Sequence, residues 1–251
     1  MRDEKTSRDM TVLEHLAELR VVLLQSILAL ALAAIGGWFV SEKAIEALIQ
    51  PATQGARPLV FFGPADALML RMKVAVGIGL FACAPVVVWR MWSFFVPGLL
   101  RRERQALLPI VVGSLVLFYA GAAFAYFVML PLSIKFLLGF STPTLQPMIS
   151  GDKYFDFMLR VTLSFAAVFQ FPLVSTVLTM WGILPPDYLR RHWRGGVVVV
   201  FVAAAIFTPP DVASQLLMAG PLLLLYAIAI VAAALVAPRK QAGLRARDQF
   251  T

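Results

Sequence analysis

The chain has 251 residues, of which 60% are hydrophobic and only 14% are charged. Soluble domains carry about 25% charged residues, so this composition indicates a protein with several membrane spans. A formal charge of +8 would suggest nucleic-acid binding in a soluble protein. In a membrane protein, basic residues instead hold loops on the cytoplasmic side, and we expect no nucleic-acid partner. The single cysteine, Cys83, excludes an internal disulfide.

The first predicted helix begins at a capping-box pattern formed by Thr11 and Glu14, and it continues into an apolar run. Glu14 and Glu18 are four residues apart and therefore share a helix face. Two interpretations of these acids are open. They form either an amphipathic collar at the membrane surface or an acidic site for a basic partner, whose charge would relieve the repulsion between them.

Six apolar runs can be compared with the roughly 20 residues that a spanning helix needs. The fifth run is short, at about 20 Å of helix, and reaches across the bilayer only with its flanking residues or with local thinning. The predicted fold is an all-α integral membrane protein with six transmembrane helices in a single membrane domain, residues 1–251. Residues 1–10 and 238–251 are predicted to be flexible cytoplasmic tails. The predicted spans cover about residues 21–40, 72–92, 106–130, 161–181, 195–209 and 212–236.

The distribution of basic residues predicts the orientation of these spans. Six spans place both termini on one side, and fifteen of the 22 Lys and Arg residues fall on that side. The positive-inside rule therefore predicts cytoplasmic termini. The longer loops, residues 41–71 and 131–160, then lie across the membrane. In the first of them, residues 41–50 predict a short helix that ends before Pro51.

The segment between the second and third spans, residues 92–109, contains a helix-breaking pair, Pro97 and Gly98. The positive-inside rule accounts for the arginines of this segment but not for Glu103, because acidic residues contribute little to the orientation of membrane spans. Either Glu103 is neutralised by the neighbouring arginines, or it binds an incoming cation. Guanidinium and carboxylate groups form two parallel hydrogen bonds, a geometry that lysine does not reproduce.

The fourth span contains one strongly polar side chain, Gln170, close to Pro172. An amide in hydrocarbon needs a hydrogen-bond partner, and Pro172 frees the carbonyl of Val168. Gln170 therefore either satisfies this backbone group or makes a polar contact with another helix, within the protein or in a partner.

The last two spans are joined by a tight turn, in which Asp211 is placed to cap the sixth helix. The turn also contains Pro209 and Pro210. Its pattern is typical of a structural element rather than a site.

The chain carries no pattern of a catalytic centre. Its two histidines, His15 and His192, are not grouped with acids or with the cysteine in the spacing of metal ligands. We expect no enzyme, no metal and no cofactor.

Together these segments resemble the TatC family, the receptor subunit of the twin-arginine (Sec-independent) protein translocase. The resemblance extends from about residue 11 to residue 236, and its segments keep their order and spacing. They are His15-Leu-Ala-Glu18-Leu-Arg20, Phe94-Phe-Val-Pro97-Gly-Leu with Glu103-Arg104, Phe118 to Phe127 with Pro131-Leu132, Phe169-Gln170-Phe-Pro172, and Thr208-Pro-Pro-Asp211-Val-Ala-Ser-Gln215.

The resemblance implies a receptor for the twin-arginine signal peptides of folded precursor proteins. Such proteins work with small single-span partners of the TatA and TatB types, assemble into oligomeric receptor complexes, and export cargo with the proton-motive force. The family's signal-peptide contacts fall on Glu18 and Glu103, and its aromatic residue before the proline break falls on Phe94. The motifs around these positions add Leu16, Arg20 and Arg104.

One position departs from the family pattern. The family most often has a glutamate in the middle of the fourth span, where this chain has Gln170. Glutamine can donate and accept hydrogen bonds but cannot titrate. The alternative function is a small-solute secondary transporter, which would need ionisable groups near the bilayer midplane.

Overall fold

The computed structural model describes residues 12–53, 59–95, 107–140, 142, 148–207 and 212–236. One helical turn, Ala125–Met129, is a π-helix that joins α3 to α4. In chain order the α-helices are α1 (Val12–Thr53), α2 (Asp66–Phe95), α3 (Leu107–Phe124), α4 (Leu130–Leu138), α5 (Gly151–Val168), α6 (Gln170–Met180), α7 (Tyr188–Arg191), α8 (Trp193–Phe207) and α9 (Val212–Val236).

Five helical stretches are apolar and long enough to cross a membrane. The shorter apolar stretch, Trp193–Ile206 in α8, contains the start of the short fifth predicted span. The protein is therefore an all-α membrane protein with five to six apolar helices. The predicted tails and residues 208–209 of the fifth predicted span lie outside the described residues. The five long stretches are Leu16–Ile49, Asp66–Phe94, Leu107–Leu138, Gly151–Met180 and Val212–Val236.

The helix predicted for residues 41–50 is not a separate element, because α1 continues to Thr53. Pro51 has no N–H group and cannot donate to the carbonyl of Ala47, four residues earlier. The hydroxyl of Tyr126 donates to this carbonyl oxygen at 3.0 Å. The hydroxyl of Tyr154 donates to the carbonyl oxygen of the following residue, Leu48, also at 3.0 Å. The prediction of a helix end before Pro51 is therefore wrong, because side chains distant in sequence supply the missing donor.

The bounds predicted for the loop at residues 131–160 are also wrong at both ends, because α4 continues to Leu138 and α5 begins at Gly151. Pro131 lies in the first turn of α4, directly after the π-turn. There the N–H of Leu130 donates to the carbonyl of Ala125, five residues earlier. This change of hydrogen-bond register just before the proline allows the helical path to continue.

The chain divides into two compact units. The first unit comprises Met1–Glu46 and Arg71–Leu115, and the second comprises Ala47–Leu70 and Val116–Thr251. The helices α1, α2 and α3 each contribute residues to both. The two units are described separately below.

In the first unit, α1 and α2 approach each other closely at glycines. A Cβ atom on Gly37 would lie 2.5 Å from the carbonyl oxygen of Ala75. One on Gly79 would lie 2.6 Å from the amide nitrogen of Ala34. Only glycine allows this separation, because these neighbouring atoms belong to the backbone and cannot rotate away.

The same pair of helices is joined by a polar cluster around Arg71. Its Nε donates to the hydroxyl of Ser41 at 3.1 Å, and the Ser41 side chain is fully buried. Its Nη2 lies 3.7 Å from the carboxylate of Glu42, and its guanidinium lies 4.8 Å from the centre of the Trp38 ring. The cluster fixes the antiparallel register of α1 against α2.

In the second unit, α5 supplies large side chains to the core. Phe155 and Phe165 are fully buried. The ring of Phe124 lies 5.5 Å from that of Phe165 and 5.7 Å from that of Phe169. A Cβ atom on Gly121 would meet the Phe165 carbonyl oxygen at 2.7 Å, so α3 approaches α5 closely at a glycine.

The α9 helix packs against α4, α6 and α8. Tyr226 makes one of its polar contacts, since its hydroxyl donates to the carbonyl of Leu189 at 2.8 Å. Its ring is stacked on Phe171 at 5.9 Å. The space for this ring comes from Gly196, where a Cβ atom would overlap the ring. One tyrosine thus ties α9 to α6, α7 and the start of α8.

Candidate functional site

Glu18 lies on the face of α1 that packs against α2. Between residues 16 and 43 of α1 the shielded positions repeat at intervals of three and four residues, while the remaining positions are exposed, including Leu16 and Arg20. We call the shielded face the α2-facing stripe. It consists of residues 18, 22, 25, 26, 29, 30, 33, 34, 37, 38 and 41. Of the motif residues whose exposure the structure describes, from Leu16 to Arg20, Glu18 alone lies on this face.

The register of α1 against α2 sets the level of Glu18. Ser41 contacts Arg71, and a Cβ atom on Gly37 would contact Ala75. Continued toward the start of α1, this antiparallel register brings Glu18 level with Phe94, which is half-buried near the end of α2. Two residues that the sequence assigns to one site are thus placed at the same end of the helix pair.

Two oxygen atoms on the α2-facing stripe lack a hydrogen-bond donor within the part of the chain that the structure describes. They are Oε2 of Glu18 and Oε1 of Gln25, and both are shielded from solvent. The neighbouring Ser26 differs, because its hydroxyl donates to the carbonyl of Val22 at 2.8 Å. Sequence reasoning missed Gln25. Its spacing of seven residues from Glu18, two helical turns on one face, is the signal that could have identified it.

Several predicted site residues lie outside the described residues. In the segment after α2, the signal-peptide residues Glu103 and Arg104 and the turn residues Pro97 and Gly98 belong to this group. The same holds for the turn before α9, with Pro209, Pro210 and Asp211. The pairing of Glu103 with Glu18 in one site therefore stays a prediction.

Gln170 begins α6, directly after the break in the helix at Phe169. It is half-buried, and its Nε2 donates to the carbonyl of Ala166 at 3.5 Å. The sequence predicts that Gln170 satisfies the carbonyl of Val168, which Pro172 frees, but the acceptor in the structure is the carbonyl of Ala166. Pro172 is buried in the first turn of α6. At 3.5 Å this bond is at the long limit for a hydrogen bond.

No group of three or more His, Cys, Asp or Glu side chains is arranged to hold a metal ion in the described ranges. The two unpaired oxygen atoms on the α2-facing stripe, those of Glu18 and Gln25, are acceptors, and such atoms are suited to a donor-rich cationic ligand.

Comparison with known proteins identifies the fold and the family. Residues 14–221 match the family described as "Sec-independent protein translocase protein (TatC)". A TatC protein of Carboxydothermus hydrogenoformans is 36% identical over 239 residues, which cover 95% of this chain and 98% of the relative. The TatC protein of Aquifex aeolicus is 36% identical over 236 residues, which cover 92% of this chain and 98% of the relative.

A solved structure agrees with these relatives. A crystal structure described as the twin-arginine translocase receptor TatC is similar, with a TM-score of 0.82 and 36% sequence identity. The similarity covers 89% of this chain and 99% of that one. The expectation of a transport protein rather than an enzyme is thereby confirmed, and the family excludes the alternative of a small-solute transporter. The chain belongs to the TatC family, the multi-pass cytoplasmic-membrane subunit of the Sec-independent, twin-arginine protein translocase.

Proposed function

We propose that this protein binds the twin-arginine signal peptides of folded precursors through Glu18 and Glu103. The observation that carries the proposal is the shielded Oε2 of Glu18, which has no donor among the described residues. A guanidinium group supplies donors of the right charge and geometry. Phe94, Leu16, Arg20 and Arg104 border this site in the sequence motifs.

The shielding of Glu18 decides how strongly it can bind. Exposed ion pairs contribute only about 0–1 kcal/mol each. Hydrogen bonds to charged groups that are removed from water contribute about 1.5–3 kcal/mol. Burial of the apolar part of a signal peptide adds roughly 25 cal/mol per Å². Two carboxylates that each bind one arginine therefore account for a requirement for two adjacent arginines.

We infer six spans with both termini in the cytoplasm. The bias of fifteen of 22 basic residues toward one side supports this orientation. The 15 residues of α8 extend about 22 Å, less than the roughly 30 Å of a hydrocarbon core, so the fifth span needs flanking residues or a locally thinner bilayer. In this orientation Glu18 and Glu103 lie on the cytoplasmic side, where precursors arrive.

The test of the proposed function compares two peptides. We expect the detergent-solubilised protein to bind a twin-arginine signal peptide at least about tenfold more tightly than its twin-lysine version, because lysine loses the paired hydrogen bonds to each carboxylate. Fluorescence anisotropy with a labelled peptide measures both affinities. Equal affinities would contradict the assignment of a guanidinium site.

Export is proposed to require TatA- and TatB-type single-span partners and the proton-motive force, within a homo-oligomeric receptor complex. We assign to Gln170 a polar contact with such a partner helix, since this residue is only half-buried and lies at a break between helices. A step that protonates this position is excluded, because glutamine does not titrate.

Replacing Gln170 by leucine should then reduce co-purification of the single-span partners by a few-fold, as expected for the loss of one interhelical hydrogen bond of about 0.6 kcal/mol. Quantitative immunoblotting after mild solubilisation measures the recovered partner. Thr176→Val is the matched control, because the Thr176 hydroxyl donates locally to the carbonyl of Pro172 at 2.6 Å. Unchanged recovery with Gln170→Leu would favour the local bond to Ala166.

A further inference from the structure

The amide oxygen of Gln25 is the feature of the first unit that the proposed site leaves unexplained. It lies on the α2-facing stripe, seven residues after Glu18, and therefore about 10.5 Å further along α1. Like Oε2 of Glu18, it is shielded from solvent and has no donor among the described residues. The register of α1 against α2 places it level with Val87 and Val88, inside the apolar part of α2.

An unpaired acceptor in this position is unfavourable in the free protein. The bilayer core contains no water that could replace a missing donor, so a shielded polar atom there needs a hydrogen-bond partner within the protein or in a ligand. The adjacent Ser26 has one, the carbonyl of Val22. A glutamine side chain is also long enough to reach water or the interface, but this one directs its oxygen toward the protein. Such a group is explained if a ligand supplies the donor.

We propose that Gln25 is a specificity-determining residue of the signal-peptide site and accepts a hydrogen bond from a backbone N–H of the bound peptide. This inference rests on the proposed function. An extended peptide has unpaired N–H groups, and in a membrane these groups require acceptors. Gln25 as a whole is only half-buried, so part of its side chain is accessible to a bound peptide.

The spacing identifies the position of this N–H in the peptide. An extended chain rises about 3.3 Å per residue, so the roughly 10.5 Å between Glu18 and Gln25 corresponds to about three residues. The arginine bound at Glu18 is therefore followed, about three residues toward the apolar segment, by the residue whose N–H reaches Gln25. Glu18 and Gln25 together require the peptide to be extended directly after its arginines.

The first test replaces Gln25 by methionine, which has a similar length and no amide. The variant should bind the labelled twin-arginine peptide about three- to tenfold more weakly, as expected for the loss of one hydrogen bond. Its thermal unfolding temperature in detergent should stay unchanged or rise, because no intramolecular bond is removed. Ser26→Ala is the matched control on the same helix and should leave the affinity unchanged.

The second test leaves the protein intact and modifies the peptide. Methylation of the backbone nitrogen about three residues after the arginines should weaken binding to the wild-type protein by the same factor. It should have no further effect on Gln25→Met. Methylation of other backbone nitrogens in the apolar segment should have smaller effects. This test does not depend on the folding of any variant.

The outcomes separate this inference from the proposed function. A Gln25→Met variant that unfolds at lower temperature and binds the peptide as tightly as wild type overturns the inference and assigns Gln25 a structural role. An N-methyl scan without a position-specific loss overturns it equally. Failure of the guanidinium site itself has a different signature, since twin-arginine and twin-lysine peptides would then bind the wild-type protein alike.

Discussion

A single methyl group added at Gly79 should disrupt the packing of α1 against α2 and with it signal-peptide binding. The Cβ atom of Gly79→Ala would lie 2.6 Å from the amide nitrogen and 2.7 Å from the Cα atom of Ala34. Backbone atoms cannot move aside by a change of rotamer, so the helices must separate. Overpacking of this kind costs about 1–3 kcal/mol. Glu18 and the rest of the α2-facing stripe would move with α1, and Glu18 would change its position relative to Phe94.

The measurement is thermal unfolding in detergent together with peptide affinity. Gly36→Ala is the matched control, since it adds the same methyl group to a helical glycine of the same unit with nothing within 4 Å of the new Cβ atom. Alanine favours a helix over glycine by up to about 1 kcal/mol, so this variant should be as stable as wild type or more stable. Equal stability of Gly79→Ala and Gly36→Ala would contradict the close approach of the two helices.

Replacing Glu103 by alanine should abolish cross-linking of a twin-arginine signal peptide while the protein still inserts into the membrane. The change removes one of the two carboxylates proposed to bind the arginines and leaves a guanidinium group without its partner. Truncation of one member of a shielded, hydrogen-bonded charge pair costs about 2–5 kcal/mol. The affinity should therefore fall by between about thirtyfold and a few thousandfold. Glu18→Ala should have an effect of similar size.

A photoreactive signal peptide and an assay of membrane integration measure the two properties separately. Glu46→Ala is the control for charge, because Glu46 is an exposed acid on the same helix as Glu18, 28 residues further along. It should cross-link as wild type does. Normal cross-linking of Glu103→Ala would show that the two-carboxylate site is assigned to the wrong residues.

The existence and type of the helices follow from the sequence, but several of their ends do not. Long apolar runs identify the spanning helices without knowledge of the fold. The continuation past Pro131 could not be predicted, because it depends on a π-turn whose Leu130 N–H reaches back five residues to Ala125. Local rules treat a proline as an end of a helix, and here the hydrogen-bond pattern before the proline determines the outcome.

The candidate site, too, can be predicted from the sequence only in part. Residue type and spacing indicate that Glu14 and Glu18 form either a collar at the membrane surface or an acidic site, and the resemblance to the TatC family assigns the signal-peptide contact to Glu18. The sequence does not reveal that its oxygen is shielded and has no donor among the described residues, because this depends on the register set at Gly37 and at Arg71. Gln25 shows the same limit, since its residue type alone does not distinguish a satisfied amide from an unsatisfied one.

The hydrogen bond from Tyr126 to the carbonyl of Ala47 couples two positions that are 75 residues apart in the chain, 51 and 126. A proline at position 51 is compatible with an unbroken helix while the residue at position 126 carries a hydroxyl group. A phenylalanine at 126 would leave the Ala47 carbonyl without a donor, whereas alanine at 51 would restore the N–H and make the hydroxyl dispensable. The order of the two substitutions therefore matters. If position 51 changes to alanine first, no intermediate sequence leaves the Ala47 carbonyl without a donor.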